Sequence, residues 1–167
     1  MRSDIPHRLR TDLEIKDSGD VEHSILEIIL KKEKFLFVLM YKPPKTSNEL
    51  ITNMISNLMD KCLSECKCVY LMGDLNINCL LENHALTDVF LCYDLKNVIE
   101  GPTCFKSTSN SSQIDLIVSN RPRRVASHLN TTIDISDFHN IVCAATKLHA
   151  PKPEPKVIHY RSYKNFK

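Results

Sequence analysis

An α/β fold with more strands than helices is predicted by three observations: short apolar runs ending in carboxylates, one long stretch of helical periodicity, and proline or glycine breaks between them. Residues 1–20 are polar, contain Gly19 and show no sustained period, so they read as a loose entry segment. Ser24–Leu30 and Phe35–Tyr41 read as strands of a hairpin whose turn is Lys31-Lys32-Glu33-Lys34. Pro43-Pro44 ends the second strand, because neither proline can donate to a ladder. From Ser47, a residue suited to an N-cap, Leu50, Ile51, Met54, Ile55, Leu58, Met59 and Cys62 recur three and four apart. That spacing predicts an amphipathic helix.

Cys68–Met72 is a continuous apolar run of the kind expected in a strand buried on both faces. A second helix is expected over Leu86–Tyr93, then short extended pieces at Leu95–Ile99 and Thr103–Phe105, and a polar loop over Ser107–Ser112. Ile114–Val118 is again strand-like, Ser127–Ile135 alternates loosely, and Ile141–Ala145 forms the last strand. Three units follow: the entry segment 1–20, a folded portion 21–149, and a basic, proline-rich tail 150–167. No internal repeat is visible.

The bulk numbers exclude several classes. An apolar fraction of 43% over 167 residues is ample for one packed domain. No stretch approaches the roughly 20 apolar residues of a membrane span, and the N-terminus lacks a signal-peptide core, so an intracellular place, nuclear or cytoplasmic, is expected. Seven scattered cysteines fit reduced thiols. Cys62, Cys66 and Cys68 invite a zinc reading, but no second ligand pair sits nearby at finger spacing. A formal charge of +2 announces no whole-protein affinity for nucleic acid. The tail interleaves lysines and Arg161 with Tyr160, Tyr163 and Phe166, which suits either phosphate and base contacts or a solvated linker.

Three acidic motifs carry the chemistry. In Gly73-Asp74-Leu75-Asn76, strand alternation puts Asp74 and Asn76 on one rim, a carboxylate beside a neutral amide. Asp115 interrupts an apolar strand, where a carboxylate needs a cation or several donors to be buried. Ser136-Asp137-Phe138-His139 adds an acid and an imidazole. Together these groups suit metal-assisted phosphodiester hydrolysis.

These motifs resemble the later motifs of the endonuclease/exonuclease/phosphatase superfamily. Tyr41-Lys42-Pro43-Pro44, Asp94-Leu95-Lys96-Asn97, Pro102-Thr103-Cys104-Phe105, Ser119-Asn120-Arg121-Pro122 and Tyr160-Arg161-Ser162-Tyr163-Lys164-Asn165-Phe166 resemble, more narrowly, the endonuclease region of non-LTR (LINE-type) retrotransposons. The similarity runs from about Ser24 onward. It implies a four-layer sandwich, two packed mixed or mostly antiparallel sheets flanked by helices, here incomplete because the chain opens near the middle of that fold. It also implies Mg²⁺ or Mn²⁺, DNA as substrate, and a reverse transcriptase domain downstream.

Carried over by position, Asp74 would activate water with Asn76 as companion, and Asp115 would orient the catalytic histidine. Asp137 would sit near the metal or that histidine, and Tyr41 would face the phosphate. The family's first strands carry an Asn and a metal-binding Glu, and Glu14, Glu22 and Glu27 match neither motif, so impaired hydrolysis is expected. Phe138 occupies the place directly after Asp137 where the family has its histidine, which leaves His139 or no residue in that role. The alternative function is a non-catalytic relic that binds nucleic acid or protein. An incomplete sandwich is further expected to bare an apolar sheet face and to self-associate.

Overall fold

Strand pairing begins earlier than the apolar pattern indicates. In the computed structural model, which describes residues 5–107, 110–132, 136, 138–148, 155 and 157–160, β1 (His7–Leu9) pairs antiparallel with β2 (Glu22–Leu30). The stretch read as a loose entry segment therefore contains a strand, and its exposed residues carry no alternation because charge holds it. Arg8 Nε donates to Glu27 Oε1 at 2.8 Å, and Arg10 Nη1 to Glu27 Oε2 at 2.7 Å. Arg10 also reaches Glu65 at 2.6 Å, and Lys34 lies 3.3 Å from Glu27, whose side chain is 1% exposed.

Removing Glu27 takes from buried Arg10 one of three carboxylate partners, leaving Asp12 and Glu65, and takes from Arg8 and Lys34 their shared anion. Glu27→Ala is expected to cost about 3 kcal/mol in urea unfolding. Burial pushes the Glu27 carboxyl up, but bonds from Arg8, Arg10 and Lys34 outweigh it and hold the group below its ordinary value. A lowered folded value means that this stability is complete above the unfolded value and is lost as pH falls through the folded one. The wild type is thus expected to lose stability on acidification below the glutamate range, with a shallower slope in the variant.

β2 turns into β3 (Glu33–Tyr41) through Lys31 and Lys32, both in the left-handed region at φ 49° and 69°. A two-residue turn of this primed kind matches the twist of the paired strands. Ser47 then caps α1 (Asn48–Glu65), its Oγ accepting from Glu49 N at 3.1 Å and Leu50 N at 3.3 Å. Ile51, Met54, Ile55, Leu58, Met59 and Cys62 form the buried stripe. The helix returns the chain to β4 (Val69–Asp74), parallel to β3. Ile25, Leu36, Val38, Met40, Val69 and Leu71 meet the helix in the main core.

α2 (Thr87–Cys92) is short and is tied to α1 by Tyr93, whose hydroxyl bonds Asp60 at 2.9 Å. β5 (Lys96–Asn97) follows, then β6 (Cys104–Ser107) and β7 (Asn110–Ser112), which pair antiparallel. The expected polar loop over Ser107–Ser112 therefore holds a strand. Backbone bonds such as Thr103 N to Ser112 O, 2.8 Å, ask for no apolar side chains. β8 (Asp115–Ser119) enters the main sheet between β4 and β5, completing the order β1-β2-β3-β4-β8-β5. A turn of 3-10 helix, Pro122–Arg124, leads to β9 (Val125–Thr131), which pairs antiparallel with β10 (Ile141–Thr146).

The fold class is thus mixed α/β with more than one sheet and few helices, as the sequence predicts. Among the described residues, the sheet face away from α1 is only partly covered. Val125 packs with Phe35 and Tyr70, and Val142 lines a cleft of about 490 Å³ with Leu39, Tyr41, Met72 and Ile117. Phe37 stacks on Tyr70 at 5.0 Å, while Leu39 and Tyr41 remain exposed. Among the described residues no helix is long and apolar enough to cross a membrane.

Candidate active site

Register brings the acidic motifs together. Glu22 pairs with Tyr41, Tyr41 with Asp74, and Asp74 with Asp115, so one row crosses β2, β3, β4 and β8. Side chains of paired residues share a face. The row lies where β4 ends and antiparallel β8 begins, which puts its two carboxylates side by side. Burial raises the Asp74 carboxyl above its ordinary value and the charge of Asp115 adds to this, opposed by the Asn76 N–H, His139 and Lys106.

Gly73 makes the close approach possible. Its φ is 139°, and a Cβ there would stand 1.9 Å from Met40 O. β4 stops at Asp74, and Asn76 turns away with φ 47°. The strand-alternation argument for Asn76 therefore fails, because no strand extends to it. Its N–H instead donates to Asp74 Oδ1 at 2.9 Å, and its Nδ2 to Lys42 O at 2.8 Å. Asn76 fixes the turn that carries Asp74. Lys42 itself, 1% exposed, is pinned by its backbone N–H to Asp74 O at 2.9 Å, and burial lowers its amine below the usual lysine range against the pull of Asp74.

The partners that a carboxylate in an apolar strand requires are present. Thr103 Oγ1 donates to Asp115 Oδ2 at 2.8 Å, and His139 Nδ1 lies 3.0 Å from the same oxygen. His139, and not Phe138, stands beside Asp115 for a reason the local motif does not contain. Cys104 bridges His139 in antiparallel fashion, with Phe105 N bonding Phe138 O and Asn140 N bonding Thr103 O, each at 2.8 Å. This pairing turns His139 toward Asp115 and leaves Phe138 51% exposed. Ser136 Oγ accepts from His139 N at 3.1 Å. Asp137 lies outside the described residues.

Asp74, Asp115 and His139 offer ligand atoms that all lie within 4.8 Å of one another. Two carboxylates in that group, with Asp74 destabilised in its charged form, suit a hard divalent cation. Tyr41 flanks Asp74 on the same row, whereas Asn76 contributes through Asp74. Single-residue arguments missed Thr103 and Lys42, although both lie inside motifs on which the family resemblance rests.

The arrangement of sheets and helices defines a fold of the endonuclease/exonuclease/phosphatase kind. The chain is similar to the endonuclease domain of TRAS1, a telomere-specific non-LTR retrotransposon, with a TM-score of 0.73 at 14% identity, over 90% of this chain and 72% of that one. It is also similar to an endonuclease/exonuclease/phosphatase family protein from Leptotrichia buccalis C-1013-b, with a TM-score of 0.56 at 17% identity, over 75% of this chain and 53% of that one. A Cimex nitrophorin mutant in its ferrous NO complex shares the fold at a TM-score of 0.54 and 12% identity, over 84% of this chain and 62% of that one. No protein-family model matches the chain, and no curated protein matches it in sequence. Identities of this size speak for the fold, and the nitrophorin shows that the fold alone does not name a chemistry.

Proposed function

We propose that this chain is a divalent-metal-dependent phosphodiesterase that cuts DNA, derived from the endonuclease of a non-LTR retroelement. The observation that supports this most is the row Tyr41, Asp74, Asp115, with His139 held on Asp115 at 3.0 Å. Asp74, fixed by the Asn76 turn, takes the proton of the attacking water. His139, kept in place by Asp115 and Thr103, steadies negative charge on the phosphoryl oxygens. Tyr41 borders the phosphate.

By the family resemblance Asp137 is the carboxylate near the cation, and Asp74, beside Asp115 and His139, is the described carboxylate that could hold it with them. When bound, Mg²⁺ or Mn²⁺ supplies polarisation of the phosphoryl oxygen and support for the leaving oxygen. Glu27 is committed to arginines, and Glu22 stands beyond Tyr41, two strands from Asp74. Neither serves as a further ligand beside Asp74, so cleavage is expected to be slow and to need abundant metal.

Nicking of supercoiled plasmid with Mg²⁺ or Mn²⁺ tests the reading. Metal-dependent nicking by the wild type, lost in Asp74→Ala and Asp115→Ala, is the expected result. Equal nicking by all three proteins would mean a contaminating nuclease and would sink the assignment. A binding module is the second reading, favoured by the open, largely apolar cleft that runs from Tyr41 to Leu39, Met72, Ile117 and Val142. DNA binding without nicking, or self-association through that face, would select it.

A further inference from the structure

The end of the main sheet opposite the acidic row gathers positive charge that hydrolysis does not use. β3 and β4 start there, β2 and β8 finish there, and a rise of roughly 3.3 Å per strand residue puts Val69 about 17 Å from Asp74. Lys31 and Lys32 form the β2–β3 turn, Lys67 precedes β4, and Arg121 and Arg123 belong to the 3-10 turn after β8. All five are exposed, as is Lys147. We infer that this pole is a nucleic-acid surface distinct from the proposed active site, which holds a strand by its phosphates without reading its sequence.

Hydrogen bonds join these residues into one band. Arg121 Nε donates to Lys67 O at 3.3 Å, and Asn120 Oδ1 accepts from Val69 N at 2.9 Å, which ties the same turn to β4. Arg124 pairs with Glu33 beside the lysine turn, stands 5.4 Å over the Phe35 ring, and accepts at its carbonyl from Lys147 N at 2.7 Å. A concavity of about 340 Å³ lies between the two sides, lined by Glu33, Lys34, Phe35, Glu65, Lys67 and Arg124.

The acids at this end are already engaged. Glu33 is matched by Arg124, and Asp12, Glu27 and Glu65 are matched by Arg8, Arg10 and Lys34. Among the described residues, Lys31, Lys32, Lys67, Arg121, Arg123 and Lys147 have no carboxylate partner. A chain total of only +2 therefore hides a separated distribution, with one basic pole and a net negative remainder. Local fields of this kind bind phosphate backbones by releasing condensed counterions.

The shape of the band selects the partner. It crosses the ends of β3, β4 and β8, roughly 10 Å at strand spacing, which covers about three nucleotide steps. Phe35 is buried beneath Arg124, so bases find no stacking platform and contact stays with the backbone. Segments 30–35, 66–68, 119–125 and 147–148 expose no large apolar side chain, so the band lacks what a membrane-surface anchor would insert.

Fluorescence anisotropy of a labelled single-stranded oligonucleotide of mixed sequence, titrated with the full chain in EDTA over a salt series, reads binding whether or not the row cuts DNA. The double variant Lys67→Gln/Arg123→Gln is expected to weaken binding about 10-fold at low salt and to lower the slope of log K against log salt by about 1.4. Lys16→Gln/Lys45→Gln removes the same charge from exposed positions outside the band and should change binding far less. Both variants should keep the wild-type circular dichroism. Equal losses in the two would mean that net charge alone governs binding, and an unchanged Lys67/Arg123 variant would move binding to another part of the chain; either result overturns the surface. Wild-type protein that sediments with phosphatidylserine vesicles but ignores the oligonucleotide would refute it in favour of a lipid partner.

Discussion

Alanine at Asp115 or at His139 is expected to slow metal-dependent plasmid nicking by about 10²–10⁴-fold, and alanine at both to slow it little further. The two side chains act as one device: the carboxylate fixes ring and tautomer, and the ring carries the charge interaction to the phosphate. Without Asp115 the imidazole loses its 3.0 Å anchor and is held only by Cys104 and the backbone. Without His139 the carboxylate keeps Thr103 but has nothing to orient. Groups that serve a single step give non-additive losses, which separates this account from one in which each residue stabilises the fold on its own. Single-mutant losses that multiply in the double mutant, or that follow a fall in melting temperature, would contradict the pairing. Separate roles or local unfolding would then explain the data better.

How much of this was legible beforehand varies from residue to residue. The α1 stripe was clear because 18 residues sample five turns of a 3.6 period, and its buried positions are those that the spacing selects. Asp115 was legible through its cost, since an ionised group in an apolar strand demands partners, and Thr103 and His139 supply them. β1 was hidden because its attachment is electrostatic and its main partner, Glu27, is far along the chain. Asn76 was misread because alternation holds only while a strand continues, and this one ends at Asp74. The choice between Phe138 and His139 was not written in the local motif at all. It depends on pairing with Cys104, a tertiary contact across 35 residues.

Gly73→Ala is expected to cost about 5 kcal/mol or more, comparable to the whole stability of a small domain. Two independent penalties meet at this position. A φ of 139° disfavours any L side chain, and the added Cβ would lie 1.9 Å from the oxygen and 2.9 Å from the carbonyl carbon of Met40. Both atoms are backbone, so no rotamer change gives relief. The only escape is to separate β3 from β4 at the Met40–Gly73 pair, directly beside the row that joins Tyr41 to Asp74. Gly101→Ala provides the control, because its φ of 74° carries similar conformational strain while the nearest atom to a new Cβ is Asn130 Nδ2 at 3.9 Å. That variant should lose only about 1 kcal/mol, the dihedral penalty alone. Urea unfolding of the two proteins measures the difference, and equal losses would show that strain, not strand contact, fixes this glycine. If Gly73→Ala leaves a folded fraction, that fraction should also have lost nicking, since separating the strands moves Asp74 away from Tyr41.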